Sequence, residues 1–228
     1  MVTWTLVQSN SINNDAPGTL LSVTLTNPVT SGNLVAITVS WADVSAATVD
    51  DTIGNTYTIL DPQDDPGPGQ SSGGAGTVNI TNGPQTFRLH NNPATSFRDI
   101  TVEEWNCSTG PSAGIDKHAG ATTLNVAANA GFSAGTVVTT VDGCLIWSCT
   151  NSSTASTPAL AGSGFVRNNT VGGEATESQT QTTAGSVTGA WVNVNATESY
   201  MANMIAFKPA SLVVVGKAGG SGFTATEW

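Results

Sequence analysis

The chain has 228 residues, of which 39% are hydrophobic and only 10% are charged, and its formal net charge is −10. This hydrophobic fraction is enough to build a buried core, which excludes a disordered chain. An acidic surface repels phosphate backbones and anionic lipid, so we expect neither nucleic acid nor a membrane as a partner. All-β sandwiches often reach this length as one domain.

Short apolar runs bounded by Gly, Pro, Asn or Asp recur along the chain, and this pattern predicts β-strands joined by turns. In residues 21–26, for example, apolar side chains alternate with hydroxyls, as in a half-buried strand. The only helix that the pattern suggests is a short one at residues 121–130. The predicted strands are residues 2–8, 20–26, 34–41, 56–60, 77–80, 86–90, 99–106, 136–141, 144–150, 164–168, 174–182, 190–195 and 201–208.

Two segments between these strands are rich in turn-forming residues. Residues 51–57, DTIGNTY, place a Gly-Asn pair before a strand, and both residue types accept the positive φ of a tight antiparallel turn. Residues 61–76 contain so much Pro and Gly that they predict an exposed loop rather than a central strand. We therefore expect residues 1–210 to form an antiparallel β-sandwich of two sheets, with Trp41 and Phe207 directed inward.

The cysteines number three, and an odd count does not indicate a disulfide framework. Cys144 and Cys149 are five residues apart on one predicted strand, so they point to opposite faces and cannot pair with each other. The favoured interpretation is three small buried hydrophobic residues. The alternative is a bond between Cys107 and one of the other two.

No catalytic constellation can be recognised in the sequence, and we expect no enzymatic activity. His90 and His118 lie in no motif that would place a nucleophile beside a base. Glu103 and Glu104 are adjacent on a strand and therefore face opposite sides, which excludes an acid/base pair made of these two.

Acidic residues in turns raise the hypothesis of a structural calcium site. Calcium takes six to eight oxygen ligands, and Asp-rich turns can supply them. Asp50 and Asp51 belong to the same grouping, but the candidate ligands are Asp61, Asp64 and Asp65. The alternative is that these are solvated loop acids, and no other cofactor is expected.

The six tryptophans allow two interpretations. One or two of them could form stacking platforms for a sugar. Five of them, however, lie within apolar strands, which favours a role in filling the core.

Four segments together resemble a jelly-roll module of bacteriophage virion proteins and bacterial surface proteins. They are residues 31–41 (SGNLVAITVSW), 51–57 (DTIGNTY), 102–110 (VEEWNCSTG) and 204–210 (MIAFKPA). The resemblance covers roughly residues 2–210 and implies a jelly-roll or concanavalin-like sandwich. It brings no catalytic motif to these positions.

Two classes of function follow. The first is a non-enzymatic virion structural protein, a capsid decoration or fibre-like subunit that assembles with itself or with other virion proteins. The second is a glycan-binding module of an adhesin or secreted enzyme, whose partner would be a cell-surface glycan. The N-terminus has no basic region followed by an apolar core, which favours a virion over the alternative, an extracellular location.

Residues 211–228 form a C-terminal extension that we expect to mediate assembly. An apolar β-branched run precedes a glycine-rich stretch and two aromatic residues. An exposed apolar strand invites pairing with another chain, because its backbone groups are unpaired. The candidate assembly residues are Leu212, Val213, Val214, Val215, Phe223 and Trp228.

Overall fold

The computed structural model describes residues 1–42, 46–65, 69–77, 83–112, 114–153 and 157–210. Within these ranges the regular secondary structure consists of β-strands alone, and all strand pairs are antiparallel. The prediction of an all-β antiparallel protein is therefore confirmed. No helix in the described ranges has the length and apolarity to cross a membrane.

The strands fall into two series along the chain. The first series is β1 (Trp4–Asn14), β2 (Gly18–Thr24), β3 (Leu34–Ala42), β4 (Ala46–Asp51), β5 (Thr56–Tyr57), β6 (Ile59–Asp64), β7 (Gln70–Thr77), β8 (Thr86–Thr95) and β9 (Arg98–Cys107). The second series is β10 (Gly114–Val126), β11 (Gly131–Val138), β12 (Cys144–Ser152), β13 (Leu160–Ala161), β14 (Val166–Val171), β15 (Glu174–Gln181), β16 (Ser186–Val192) and β17 (Glu198–Lys208).

These strands form four sheets, so the prediction of two sheets is wrong. Sheet A has the order β1-β9-β3-β7-β6 and sheet B the order β2-β8-β4-β5. Sheet C has the order β10-β17-β12-β15-β14 and sheet D the order β11-β16-β13. Sheets A and B come from the first half of the chain, and sheets C and D from the second.

Three hydrophobic clusters show that the sheets stack in the order B, A, C, D. One cluster, which includes Trp41 and Phe87, fills the space between sheets A and B. A second, which includes Trp191, lies between sheets C and D. The third joins sheets A and C through Trp147 and Phe207. Both central sheets are covered on both faces, and strand β3 accordingly reads as a nearly continuous apolar run.

The two halves of the chain repeat one strand order. Strands β10 to β13 correspond to β1 to β4, and strands β14 to β17 correspond to β6 to β9. With this correspondence, sheet C has the same strand order as sheet A. Sheet D has the same strand order as sheet B, except that β5 has no counterpart in sheet D. Even a β-bulge recurs, after Leu6 opposite Trp105 and after Ile115 opposite Phe207.

Sheets A and C face each other with an approximate twofold relation between the halves. Strand β3 contacts its counterpart β12. Strand β1 contacts β14. The counterpart of β1 is β10 and that of β14 is β6, and these two strands also contact each other. The described part of the chain is thus a pair of similar two-sheet units joined through their larger sheets.

Residues 61–76 are not the exposed loop that their composition predicted. Strand β6 ends at Asp64 on the edge of sheet A, and β7 lies between β3 and β6 with residues 71–75 buried. A Cβ atom on Gly74 would lie 3.3 Å from the Trp147 ring, and one on Gly76 would lie 2.7 Å from the Phe207 ring. The glycines that argue against a strand are needed because aromatic rings of sheet C pack directly on β7.

Two further sequence predictions have clear outcomes. The helix at residues 121–130 is absent, since β10 continues to Val126 and pairs with β17. All three cysteines are free and buried, as the favoured interpretation held. Cys144 and Cys149 belong to different clusters, on opposite faces of sheet C.

Candidate functional site

A cleft of about 780 Å³ opens at one end of the contact between sheets A and C. Both halves of the chain line it, and we call it the interhalf cleft. Its volume falls in the range typical of small-molecule sites, roughly 300–1,000 Å³. Its polar side chains include Asn13, Gln70, Thr95, Asp99, Asn151 and Ser153.

The interhalf cleft forms because equivalent strands stop at the same end of the central layer. Strands β3 and β12 end beside it, and β7 and β15 begin beside it. The Asn151 amide Nδ2 donates a hydrogen bond of 3.0 Å to Gln70 Oε1, which connects the two halves at this end. The cleft therefore has walls that are held together before any ligand binds.

Phe97 lies on the rim, in the two-residue turn between β8 and β9. Its side chain is 51% exposed, and its backbone has a φ of +52°. A bulky aromatic residue rarely adopts this left-handed conformation, which costs free energy. The next residue, Arg98, is buried and donates to the carbonyl oxygens of Leu20 and Ala16 at 2.8 and 2.9 Å. These bonds anchor the turn to strand β2 and the segment before it.

Asp99 is the buried carboxyl group of the interhalf cleft. It is only 6% exposed, and its Oδ2 accepts a hydrogen bond of 2.7 Å from Ser40 Oγ. Among the described residues, no donor makes a hydrogen bond of normal geometry to its Oδ1, although the Asn13 amide lies near this carboxyl. Burial raises the pKa of this carboxyl to about 6, and the Ser40 hydroxyl and the Asn13 amide only partly offset that effect.

Two more carboxyl groups lie deeper in the layer between sheets A and C. Glu174 accepts hydrogen bonds from Thr101 Oγ1 at 2.6 Å and from Thr38 Oγ1 at 3.2 Å. Glu103 accepts from the indole nitrogen of Trp147 at 2.9 Å and from that of Trp105 at 3.1 Å. Burial raises the pKa of both carboxyls. Both are enclosed and hydrogen-bonded, so they join the sheets rather than meet a substrate.

Glu104 points to the opposite face of sheet A, as the sequence predicted. Its carboxylate accepts hydrogen bonds from Gln8 Nε2 at 2.6 Å, from the Thr30 amide at 2.8 Å and from Asn33 Nδ2 at 2.5 Å. This carboxylate holds the segment before β3 against β1, which is a structural role.

Both histidines contact carboxylates on other strands. His90 Nε2 lies 3.0 Å from Asp50 Oδ1, which also accepts a 2.7 Å bond from Arg88. His118 lies in β10, and its Nδ1 is 2.6 Å from Asp61 Oδ2. The partner of each ring is thus a carboxylate.

The structure does not bring the proposed calcium ligands together. Asp61 contacts His118, whereas Asp64 accepts a 2.5 Å hydrogen bond from Ser71 Oγ. Asp65 is buried at the turn between β6 and β7. Among the described residues, no group of three or more His, Cys, Asp or Glu side chains could hold a metal ion.

Two sequence predictions remain, which concern the tryptophans and the assembly residues. Trp41, Trp105, Trp147 and Trp191 are buried, which confirms their assignment to the core, whereas the fifth, Trp4, is only half-buried. The assembly residues Leu212, Val213, Val214, Val215, Phe223 and Trp228 lie outside the described residues.

Sequence reasoning missed the interhalf cleft entirely. Asp99 was included in a predicted strand, and Phe97 in the connection before it. Neither stands in a recognisable motif, and a positive φ at a phenylalanine has no sequence signature. The partners across the cleft, Gln70 and Asn151, are 81 residues apart.

No known protein family matches this chain, and no curated protein sequence matches it either.

Proposed function

We propose that this protein is a non-enzymatic virion structural protein, a jelly-roll subunit that works by assembling with itself or with other virion proteins. Nested strand pairing supports this proposal. In the first half β1 pairs with β9, β2 with β8, β3 with β7 and β4 with β5. A long hairpin rolled up into two sheets gives this nesting, and such jelly rolls are common in capsid proteins and lectins.

The second half supports the same proposal. It pairs β10 with β17, β11 with β16 and β12 with β15. The deep carboxyl groups and both histidines are engaged in contacts with residues of other strands. A tandem of two-sheet units suits a subunit that presents surfaces to neighbours.

Multi-angle light scattering of the purified full-length protein tests assembly. We expect an oligomer that Val213→Asp combined with Val215→Asp converts to a monomer, because charge blunts an apolar strand edge. Val138→Asp is the matched control, since Val138 is a 60% exposed valine on β11, and we expect it to leave the oligomer intact. A monomeric wild-type protein that is also absent from purified virions would refute the proposal.

The second candidate function is glycan binding, and the interhalf cleft is the observation that favours it. Jelly-roll sandwiches serve both roles, so strand order does not discriminate between them. A size measurement tests the first candidate and a ligand-binding measurement tests the second.

A further inference from the structure

We propose that the interhalf cleft binds a neutral saccharide, with Asp99 accepting hydrogen bonds from its hydroxyl groups and Phe97 stacking on one face of the sugar ring. This inference rests on the second candidate function, glycan binding. It adds the location of the site, the charge class of the ligand and the two residues on which binding depends.

The unpaired oxygen of Asp99 indicates what the ligand must supply. Asp99 is more than nine-tenths buried and lines the cleft. Ser40 binds one of its oxygens, and no described residue donates a hydrogen bond of normal geometry to the other, Oδ1. A buried acceptor without a donor is costly, and a ligand O–H group would remove that cost. Gly172 keeps the approach open, since a Cβ atom there would lie 3.1 Å from this oxygen.

The charges in the cleft exclude anionic ligands. Asp15 and Asp99 are the only ionisable side chains among its described lining residues, and both are acidic. Two carboxylates are fewer ligands than a calcium ion needs, and no group of three or more His, Cys, Asp or Glu side chains among the described residues could hold a metal ion. A neutral ligand is therefore the best match.

The rest of the polar lining indicates a polyhydroxyl compound. Asn13, Gln70 and Asn151 provide amide groups, and Thr95 and Ser153 provide hydroxyls. Amides and hydroxyls offer donors and acceptors together, which is what a sugar hydroxyl needs because it also does both.

Phe97 supplies the apolar surface that a sugar ring also requires. Its ring is half exposed on the rim, and its backbone is held in a strained conformation. Strain of this kind persists where the surrounding structure enforces it and is concentrated at binding sites. An aromatic ring beside directional hydrogen-bond groups is the usual composition of a small-ligand site.

A printed array of oligosaccharides, probed with the full-length protein, tests the proposal. We expect binding to one or more neutral glycans and none to sialylated or sulfated ones. Titration with the best neutral glycan should show a loss of affinity of about tenfold or more in Asp99→Asn and in Phe97→Asn. Asparagine suits position 97 because it tolerates positive φ, so the turn is retained.

Matched controls separate the cleft from the rest of the surface. Ile53 is a 55% exposed apolar residue on a different turn, and Asp142 is an exposed acid. We expect Ile53→Asn and Asp142→Asn to bind as the wild type does. Thermal unfolding of all four variants confirms that they are folded.

Three outcomes would overturn the proposal. They are no binding to any neutral glycan, preferential binding to anionic glycans, and wild-type affinity in both folded cleft variants. A monomeric protein that is absent from purified virions but binds a neutral glycan through Asp99 and Phe97 would uphold this inference while refuting the assembly proposal.

Discussion

At the scale of single residues, buried carboxyl groups govern how this protein should respond to pH. Glu103, Glu174 and Glu177 are fully buried, and burial raises the pKa of each. For Glu177 the pKa rises from 4.5 to about 8, partly offset by hydrogen bonds from backbone groups including the Gly162 amide. The folded state therefore retains protons that the unfolded chain releases.

This difference predicts that stability falls as the pH rises. Between the unfolded pKa of 4.5 and the folded value of about 8, the folded state binds more protons, so the free energy of unfolding decreases. Each such proton contributes a slope of about 1.4 kcal/mol per pH unit. Urea unfolding at about pH 5 and about pH 8 measures the slope.

Glu177→Gln should reduce that slope, whereas the surface substitution Asp142→Asn serves as the control. A stability that increases across the same pH range would contradict the prediction.

The glycines of β7 are the other single residues with a large expected effect. A Cβ atom at Gly76 would lie 2.7 Å from the Phe207 ring, so Gly76→Ala forces the ring or the strand to move. We expect a loss of stability of about 1–3 kcal/mol, as in overpacked cores. Gly131→Ala is the control, since a Cβ atom there would contact only the Trp191 carbonyl oxygen at 3.6 Å. Chemical denaturation compares the two, and equal stability would show that the contact is not tight.

At the scale of secondary-structure elements, β7 matters more than its composition suggests. It pairs with β3 along eight positions and with β6 on its other side. Composition predicts an exposed loop, whereas the structure shows a strand in the interior of sheet A. Pro62, by contrast, lies in the edge strand β6, where a missing donor is tolerated.

Deleting residues 63–74 should therefore abolish cooperative folding. The deletion removes most of β7, exposes the backbone groups of β3 and uncovers Trp147. Near-ultraviolet circular dichroism and thermal unfolding would report the loss of fixed tertiary packing. A soluble deletion variant with a sharp unfolding transition would show that β7 is dispensable after all.

At the scale of the whole molecule, the two halves depend on each other. The face of sheet A that contacts sheet C presents Leu34, Ala36 and Trp105, all of which are buried only because sheet C covers them. Hydrogen bonds from Trp147 to Glu103 and from Thr101 to Glu174 cross the same contact. Separating sheet A from sheet C would expose both the apolar surface and the buried carboxyl groups.

Residues 1–112 on their own should accordingly self-associate or aggregate, because a large exposed apolar face seeks a partner. Adding residues 114–210 should give a soluble one-to-one complex. Light scattering of each fragment and of the mixture checks both expectations. If the fragment of residues 1–112 is monomeric and well folded and does not bind the fragment of residues 114–210, the two halves do not depend on each other.

The sequence by itself determined the class of fold and much of the core. Alternating or continuous apolar runs predicted strands at β3, β9, β12 and β17 close to where they lie, because burial on one or both faces leaves a local periodic trace. The same local reasoning placed Glu103 and Glu104 on opposite faces and most tryptophans in the core. Each of these inferences depends only on neighbours along one strand.

Tertiary structure alone decided the four layers, the repeat, strand β7 and the interhalf cleft. A glycine-rich segment becomes an interior strand when rings such as Trp147 and Phe207 pack on it from far along the chain. The cleft arises where ends of strands from both halves meet, which brings Gln70 next to Asn151. These features depend on contacts between distant segments, and such contacts leave no periodic signal within any one of them.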